Sequence, residues 1–270
     1  LVFSSGTTSS GSTGSISIGS GLATSGTAGS ISVTVGDSDI GAGADVTIQA
    51  GYSRDPSGAD GGDLIMAAGR GDAGGGDVSI TAGLADAETG GNIMITTGKG
   101  TAGSSGEMYL RTATATTGVT GSMIFSSGVA SSGASGAITI GSGTSTNAKA
   151  GEVVVAAGST SATSVTGAGL TLAAGHSSGT TSVGGPMTLN AGDGTSTGGS
   201  MTIESGTSSG AVTGAIVLAS GEGSHSSGDV TIRSANAASA GVSGDLVFSS
   251  GTTSSGSTGS ISIGSGLATS

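Results

Sequence analysis

An apolar–x–apolar triplet recurs about every 15 residues along the whole chain, and this period limits the fold more than any other feature. The first apolar residues of successive triplets include Leu1, Ile16, Ile31 and Val46, and sixteen such units fill residues 1–245. Most units continue with a small residue and then Gly, followed by a stretch rich in Gly, Ser, Thr and Ala. A regular internal period of this kind is the mark of a repeat protein.

Two longer periods contain the 15-residue unit. Residues 1–25 recur unchanged at 246–270, which defines a full tandem repeat of 245 residues over 1–245 and the start of the next at 246–270. Units one to eight also match units nine to sixteen in order, so 1–122 and 123–245 are half-repeats of eight units each. The chain starts at Leu1 in mid-pattern, and we therefore expect it to be an excerpt of a longer array.

The alternation of apolar and other residues over five or six positions, bounded by Gly, predicts a β-strand with one covered face. No apolar spacing of three and four residues suggests a helix, and the frequent Gly would disfavour one. We therefore predict an all-β fold, a parallel β-solenoid of ~15-residue strand–turn units stacked at the ~4.8 Å strand spacing. The expected core residues are Ile16, Ile18, Val46, Ile48, Ile138, Ile140, Val153 and Val155.

The middle residue of each triplet suggests that two units, about 30 residues, form one coil of the solenoid. In the even-numbered units it is Ser or Thr in seven of eight cases, the exception being Tyr109. In the odd-numbered units it is mostly apolar, which predicts a stripe for lateral packing between copies: Val2, Ile65, Met94, Ile124, Val154 and Val217. A coil of one 15-residue unit is the alternative.

The whole chain resembles β-solenoid repeat proteins in this pattern. Its composition and phrases such as GSISIGSG also resemble the Gly/Ser/Ala-rich cell-surface and fibre repeat proteins of algae and other protists. That resemblance implies an extracellular or cell-surface location. It also implies a structural role in a filament, sheath or surface appendage built by self-association, with polysaccharide or other fibre proteins as further partners.

Composition argues against several other classes of protein. The net charge is −11 with only six Lys and Arg, which disfavours nucleic-acid binding. No apolar run approaches the ~18 residues of a membrane span, and the absence of Cys excludes disulfides. The two histidines, His176 and His225, have no recurring acid or nucleophile nearby, so we expect no enzyme and no cofactor.

Three weaker hypotheses remain. Acidic residues directly before the triplets suggest a calcium ladder, although a solvated polar position is the simpler interpretation: Asp45, Asp63, Asp77 and Glu107. Stacked Ser and Thr side chains also allow an ice-binding surface. The chain would alternatively serve as the stalk of an adhesin that displays a distal binding domain. The tripeptide Arg70–Asp72 is of the integrin type, but chance explains it in a chain of this composition.

Overall fold

The computed structural model describes residues 2–210, 212–224, 226–238 and 241–266. Leu1, His225 and the last four residues of the second 25-residue copy lie outside this part. The chain divides into two units, Leu1–Ile138 and Thr139–Ser270. Throughout the described residues it is built from short apolar segments joined by loops. Each segment has five residues, numbered one to five from the first apolar residue of the triplet.

The prediction of an all-β solenoid is wrong. The described residues contain no helix and no β-strand, so the apolar segments do not pair into sheets. No side chain among them is buried either, and the interior that a solenoid requires is therefore absent. The eight residues expected to fill that interior are all exposed: Ile16, Ile18, Val46, Ile48, Ile138, Ile140, Val153 and Val155.

The solvent-accessible surface of the chain is much larger than that of a folded protein of the same mass. The chain leaves 26,097 Å² accessible to solvent at a mass of 24.5 kDa. A compact monomer of that mass would expose only about 10,000 Å². The hydrophobic effect scales with the apolar area removed from water, so burial within the chain contributes little to its conformation.

The recurring structural element is a loop whose two ends meet. In twelve loops of the described part of the chain, the Gly before an apolar segment lies against the position-five residue of the preceding segment. A methyl group placed on that Gly would lie between 3.3 and 4.0 Å from the position-five Cβ. Ala82 opposite Gly91 is one of the closest examples, at 3.3 Å. This approach explains why position five is nearly always Ala, Ser or Thr, since a larger side chain would push the loop ends apart.

In the unit Leu1–Ile138, four consecutive loops are closed by a backbone hydrogen bond. In each, the Gly before a segment donates its N–H to the carbonyl oxygen of the Gly after the preceding segment, at 2.9–3.0 Å: Gly62 to Gly51, Gly76 to Gly69, Gly91 to Gly83 and Gly106 to Gly98. The bond is not continued into a ladder, because the segments on either side form no strand.

Among the described residues of the unit Thr139–Ser270, three loops are closed by the same bond, at 2.8–3.1 Å: Gly185 to Gly175, Gly199 to Gly192 and Gly214 to Gly206. These loops occupy the same places in residues 123–245 as the first three closed loops do in 1–122. Equivalent sequences therefore adopt the same local closure in both halves of the repeat.

Candidate interaction surface

The three residues of each triplet differ regularly in exposure. Among the described residues, position one is 45–59% exposed, and the apolar or aromatic residues at position two are 73–87% exposed. Position-three residues lie mostly between these values. In most segments position one comes two residues after the Gly at a loop end, where the chain approaches itself. Position three does not share this lower exposure: Ile16 is 55% exposed and Ile18 is 78% exposed. The predicted alternation, with positions one and three on one covered face, is therefore absent from the described segments.

All six residues of the predicted lateral stripe are more exposed than the described apolar residues at positions one and three of their own triplets: Val2, Ile65, Met94, Ile124, Val154 and Val217. None is covered by another part of the described chain. The aliphatic side chains at position two therefore face solvent, where a second molecule can reach them.

The four calcium candidates lie at the ends of four different loops, each directly before a position-one residue: Asp45, Asp63, Asp77 and Glu107. Within the described ranges, no three His, Cys, Asp or Glu side chains come together in a way that could hold a metal ion. Of the two histidines, His176 is exposed and His225 lies outside the described residues. No helix in the described part of the chain is long and apolar enough to cross a membrane.

The loop from Gly51 to Gly62 contains a turn held by a carboxylate. The Asp55 side chain accepts hydrogen bonds from the hydroxyl of Ser57 at 2.7 Å and from its backbone N–H at 2.9 Å. The Ser57 hydroxyl, and then its N–H, lower the pKa of Asp55, because both bonds favour the ionised form. In the same loop, the Arg54 guanidinium lies 5.6 Å from the centre of the Tyr52 ring.

Tyr109, the exception among the even-numbered units, has a carboxylate partner two residues earlier. Its phenol donates a hydrogen bond to the side chain of Glu107. The bond stabilises the protonated phenol beside a negative charge, and it raises the pKa of Tyr109. Sequence reasoning marked Glu107 only as a calcium candidate and did not foresee this contact.

Four loops share a Gly–charged–Gly tripeptide directly after an apolar segment, a feature that sequence reasoning missed. The charged residues are all exposed: Arg70, Lys99, Asp193 and Glu222. In each tripeptide the second Gly lies very close to the backbone of the residues three to four positions later. A Cβ placed on it would be only 2.0–2.3 Å from a backbone carbonyl oxygen. Only Gly fits at that point, and the loop presents the charge at its start. The repeated Gly–x–Gly spacing was the signal available in the sequence.

Comparison with known proteins adds no relative: no family model, curated protein or solved structure matches the chain.

Proposed function

We propose that this chain is a structural protein that self-associates laterally and end to end into an extracellular filament, sheath or surface appendage. The supporting observation is that the described apolar side chains are regularly spaced but are not buried within the chain. Apolar side chains recur at fixed intervals through sixteen units, yet none of the described ones is buried within the chain. Large exposed apolar surfaces on soluble proteins mark interaction sites.

The arithmetic of burial favours association through many units at once. Full burial of an aliphatic side chain contributes about 1.5–3 kcal/mol, and these side chains are half to four-fifths exposed, so each of them offers about 1–2 kcal/mol to a partner. Bringing two molecules together costs about 4–15 kcal/mol. One or two side chains are therefore too few to hold a partner, whereas the sixteen units of a full repeat, each with at least two apolar side chains, exceed the cost.

The lateral stripe is the surface to test first, because its residues are apolar and are the most exposed described residues of their triplets. The test variant carries I65T, M94T, I124T and V154T, which remove aliphatic surface at position two. The matched control carries T47S, T139S, T171S and T202S, at position two of even-numbered segments. Sedimentation velocity and light scattering over a concentration series measure the association.

We expect the parent chain and the control to associate, and the stripe variant to remain in smaller species at the same concentration. Unchanged association of the stripe variant would exclude this surface. A parent chain that stays monomeric at every concentration would contradict the proposed function itself.

The extracellular setting is supported by composition and by the resemblance to cell-surface repeat proteins. Labelling of unpermeabilised cells with an antibody against residues 1–25 tests it directly, with permeabilised cells as the control. A signal that appears only after permeabilisation would contradict the location. The same material allows polysaccharide partners to be sought by co-purification.

A further inference from the structure

The charges of the four Gly–charged–Gly loops change sign between the two halves of the repeat. Residues 1–122 carry Arg70 and Lys99 in these loops, and residues 123–245 carry Asp193 and Glu222. Each acidic residue lies 123 residues after its basic counterpart, at the equivalent place in the second half-repeat. The loop geometry is shared, since the second Gly is equally crowded in all four. Equivalent loops therefore present opposite charges in equivalent places.

The acidic residues before the apolar segments follow a related rule. Four of these acidic residues have a neutral residue at the equivalent place in the other half-repeat. The pairs are Asp45 with Gly169, Asp63 with Pro186, Asp77 with Ser200, and Glu152 with Ser30. The exception is Glu107, whose counterpart is Asp229, and each of these two is followed four residues later by Arg. When the first half-repeat of one copy is aligned with the second half-repeat of another, almost every acidic residue of this set therefore lies opposite a neutral residue and not opposite another acid.

We propose that neighbouring copies of this chain lie parallel and shifted by half a repeat, so that residues 1–122 of one copy align with 123–245 of the next. In this register Arg70 faces Asp193, and Lys99 faces Glu222. The inference rests on the proposed self-association and specifies its register. In the unshifted register every charge meets its own copy, which is repulsive at all four loops.

Charge patterns of this kind select a register chiefly by penalising the alternatives. An exposed ion pair strengthens an interaction by only about two- to fivefold, so the two pairs of one overlap act together with the apolar contacts. A half-repeat shift also leaves one half of each copy free to bind a third copy. The same contact can then be repeated from copy to copy without forming a closed ring. The product is an open, staggered filament.

A charge exchange tests the pairing. One variant carries R70D and K99E, which makes all four Gly–charged–Gly tripeptides acidic, and the other carries D193R and E222K, which makes all four basic. Asp72, two residues after Arg70, is the same in both. The chain has no buried side chain among its described residues, so these exposed substitutions leave its packing unchanged. We expect each variant alone to associate at least about fivefold more weakly than the parent. In the unshifted register the parent is already repulsive at all four loops, and neither variant would weaken its association. An equimolar mixture should recover parental association in either register, so it reports the charge contacts and not the shift.

A cysteine experiment reads the register directly, because the chain contains no Cys of its own. Ala73 and Ser196 are exposed and lie at equivalent places three residues after Arg70 and Asp193. Under mild oxidation, we expect a mixture of A73C and S196C chains to form mainly disulfides between unlike chains. Each variant alone should link to itself far more slowly.

The outcomes separate this inference from the proposed function. Parental chains that associate while neither the charge exchange nor the disulfide preference appears would overturn the shifted register alone. Preferential linking of A73C to A73C would establish the unshifted register and also overturn it. Failure of the parental chain to associate removes the proposed function and this inference together.

Discussion

Two regions of the unit Leu1–Ile138 are built from the same 15-residue pattern and yet form different loops. In residues 51–106, four consecutive loops are closed by a Gly-to-Gly hydrogen bond. In the described residues 2–45, no loop is closed in this way, and the loops contain Gly with positive φ, including Gly11, Gly26 and Gly41. Of the four closed loops, only that from Gly51 to Gly62 contains such a residue, Gly58. The first region joins its loop ends, and the second only brings them near each other.

The residue before the donor accounts for much of this difference. Gly62, Gly76 and Gly91 each follow another Gly, whereas Gly14 and Gly29 follow Thr and Ala. Methyl groups on the first three would lie 3.1–3.4 Å from a backbone nitrogen, while on Gly14 and Gly29 the nearest atom is 3.9 and 3.7 Å away. A Gly pair allows the backbone to approach closely enough for the bond to form. Gly106 follows Ser and still donates, so the pair favours closure but is not required.

The largest expected effect comes from adding methyl groups to the closed region. The triple variant G62A, G76A and G91A places each Cβ against backbone that must move, and the three closing bonds should be lost. At about 0.5–1.5 kcal/mol for each net hydrogen bond, the loss is about 2–4 kcal/mol in total. Amide hydrogen exchange at residues 62, 76 and 91 measures it, with faster exchange expected.

The matched control for that variant is G14A with G29A in residues 2–45. These positions have room for a methyl group and make no closing bond, so exchange across the first loops should be unchanged. Equal effects in the two regions would mean that the closing bonds do not distinguish them.

A smaller effect is expected when a Gly pair is built into the open region. The substitution A28G places a second glycine directly before Gly29, and the Gly29 N–H should then bond to the carbonyl oxygen of Gly21. One such bond contributes about 1 kcal/mol, or about fivefold slower amide exchange at residue 29. The substitution A28S, which adds no backbone freedom, serves as the control. Unaltered exchange in A28G would show that the pair alone does not produce closure.

The smallest expected effect is a response to pH of the turn at Asp55, in the closed region, that the turn at Thr8 in residues 2–45 should not show. Hydrogen bonds from Ser57 hold the pKa of Asp55 below its ordinary value of 3.8. A carboxylate with a lowered pKa stabilises its turn above the ordinary value, and this contribution disappears as the pH falls through the lowered pKa. The backbone N–H resonance of Ser57 should therefore shift in strong acid.

The corresponding turn near the start of the chain contains no titrating group. The Ser10 N–H donates to the Thr8 hydroxyl, and the same contact recurs between Ser255 and Thr253 in the second copy of the sequence. The Ser10 resonance should stay constant where that of Ser57 moves. A Ser57 resonance that is insensitive to pH, or a shift that persists unchanged in the D55N variant, would contradict the Asp55 turn.

Sequence reasoning predicted the 15-residue unit and the small residue at position five, but the predicted alternation with one covered face is absent from the described part of the structure. Ile16 is less exposed than Ile18, and Ala82 lies where two chain segments approach. The solenoid was wrong because an alternating pattern shows which side chains share a face without showing what covers that face. Pairing of neighbouring segments needs a continuous ladder of hydrogen bonds, and here one bond at each closed loop does not extend along Leu64 or Val78.

The candidate surface was predictable in part. The exposed stripe, including Ile65 and Met94, follows from a count of apolar residues at position two. The hydrogen bond of Tyr109 to Glu107 and the turn at Asp55 depend on side-chain rotamers that a repeat pattern does not specify. The opposite charges at Arg70 and Asp193 were visible in the sequence, but their meaning depended on knowing that both loops have the same crowded second Gly.

Each closed loop is held by a bond between residues that are seven to eleven positions apart, and no bond of one loop depends on the next. Cooperative melting requires that breaking one contact weakens others, as in a protein with a common interior. An isolated chain of this kind would soften gradually on heating, one loop at a time. Any sharp thermal transition in the native material would then belong to the contacts between molecules.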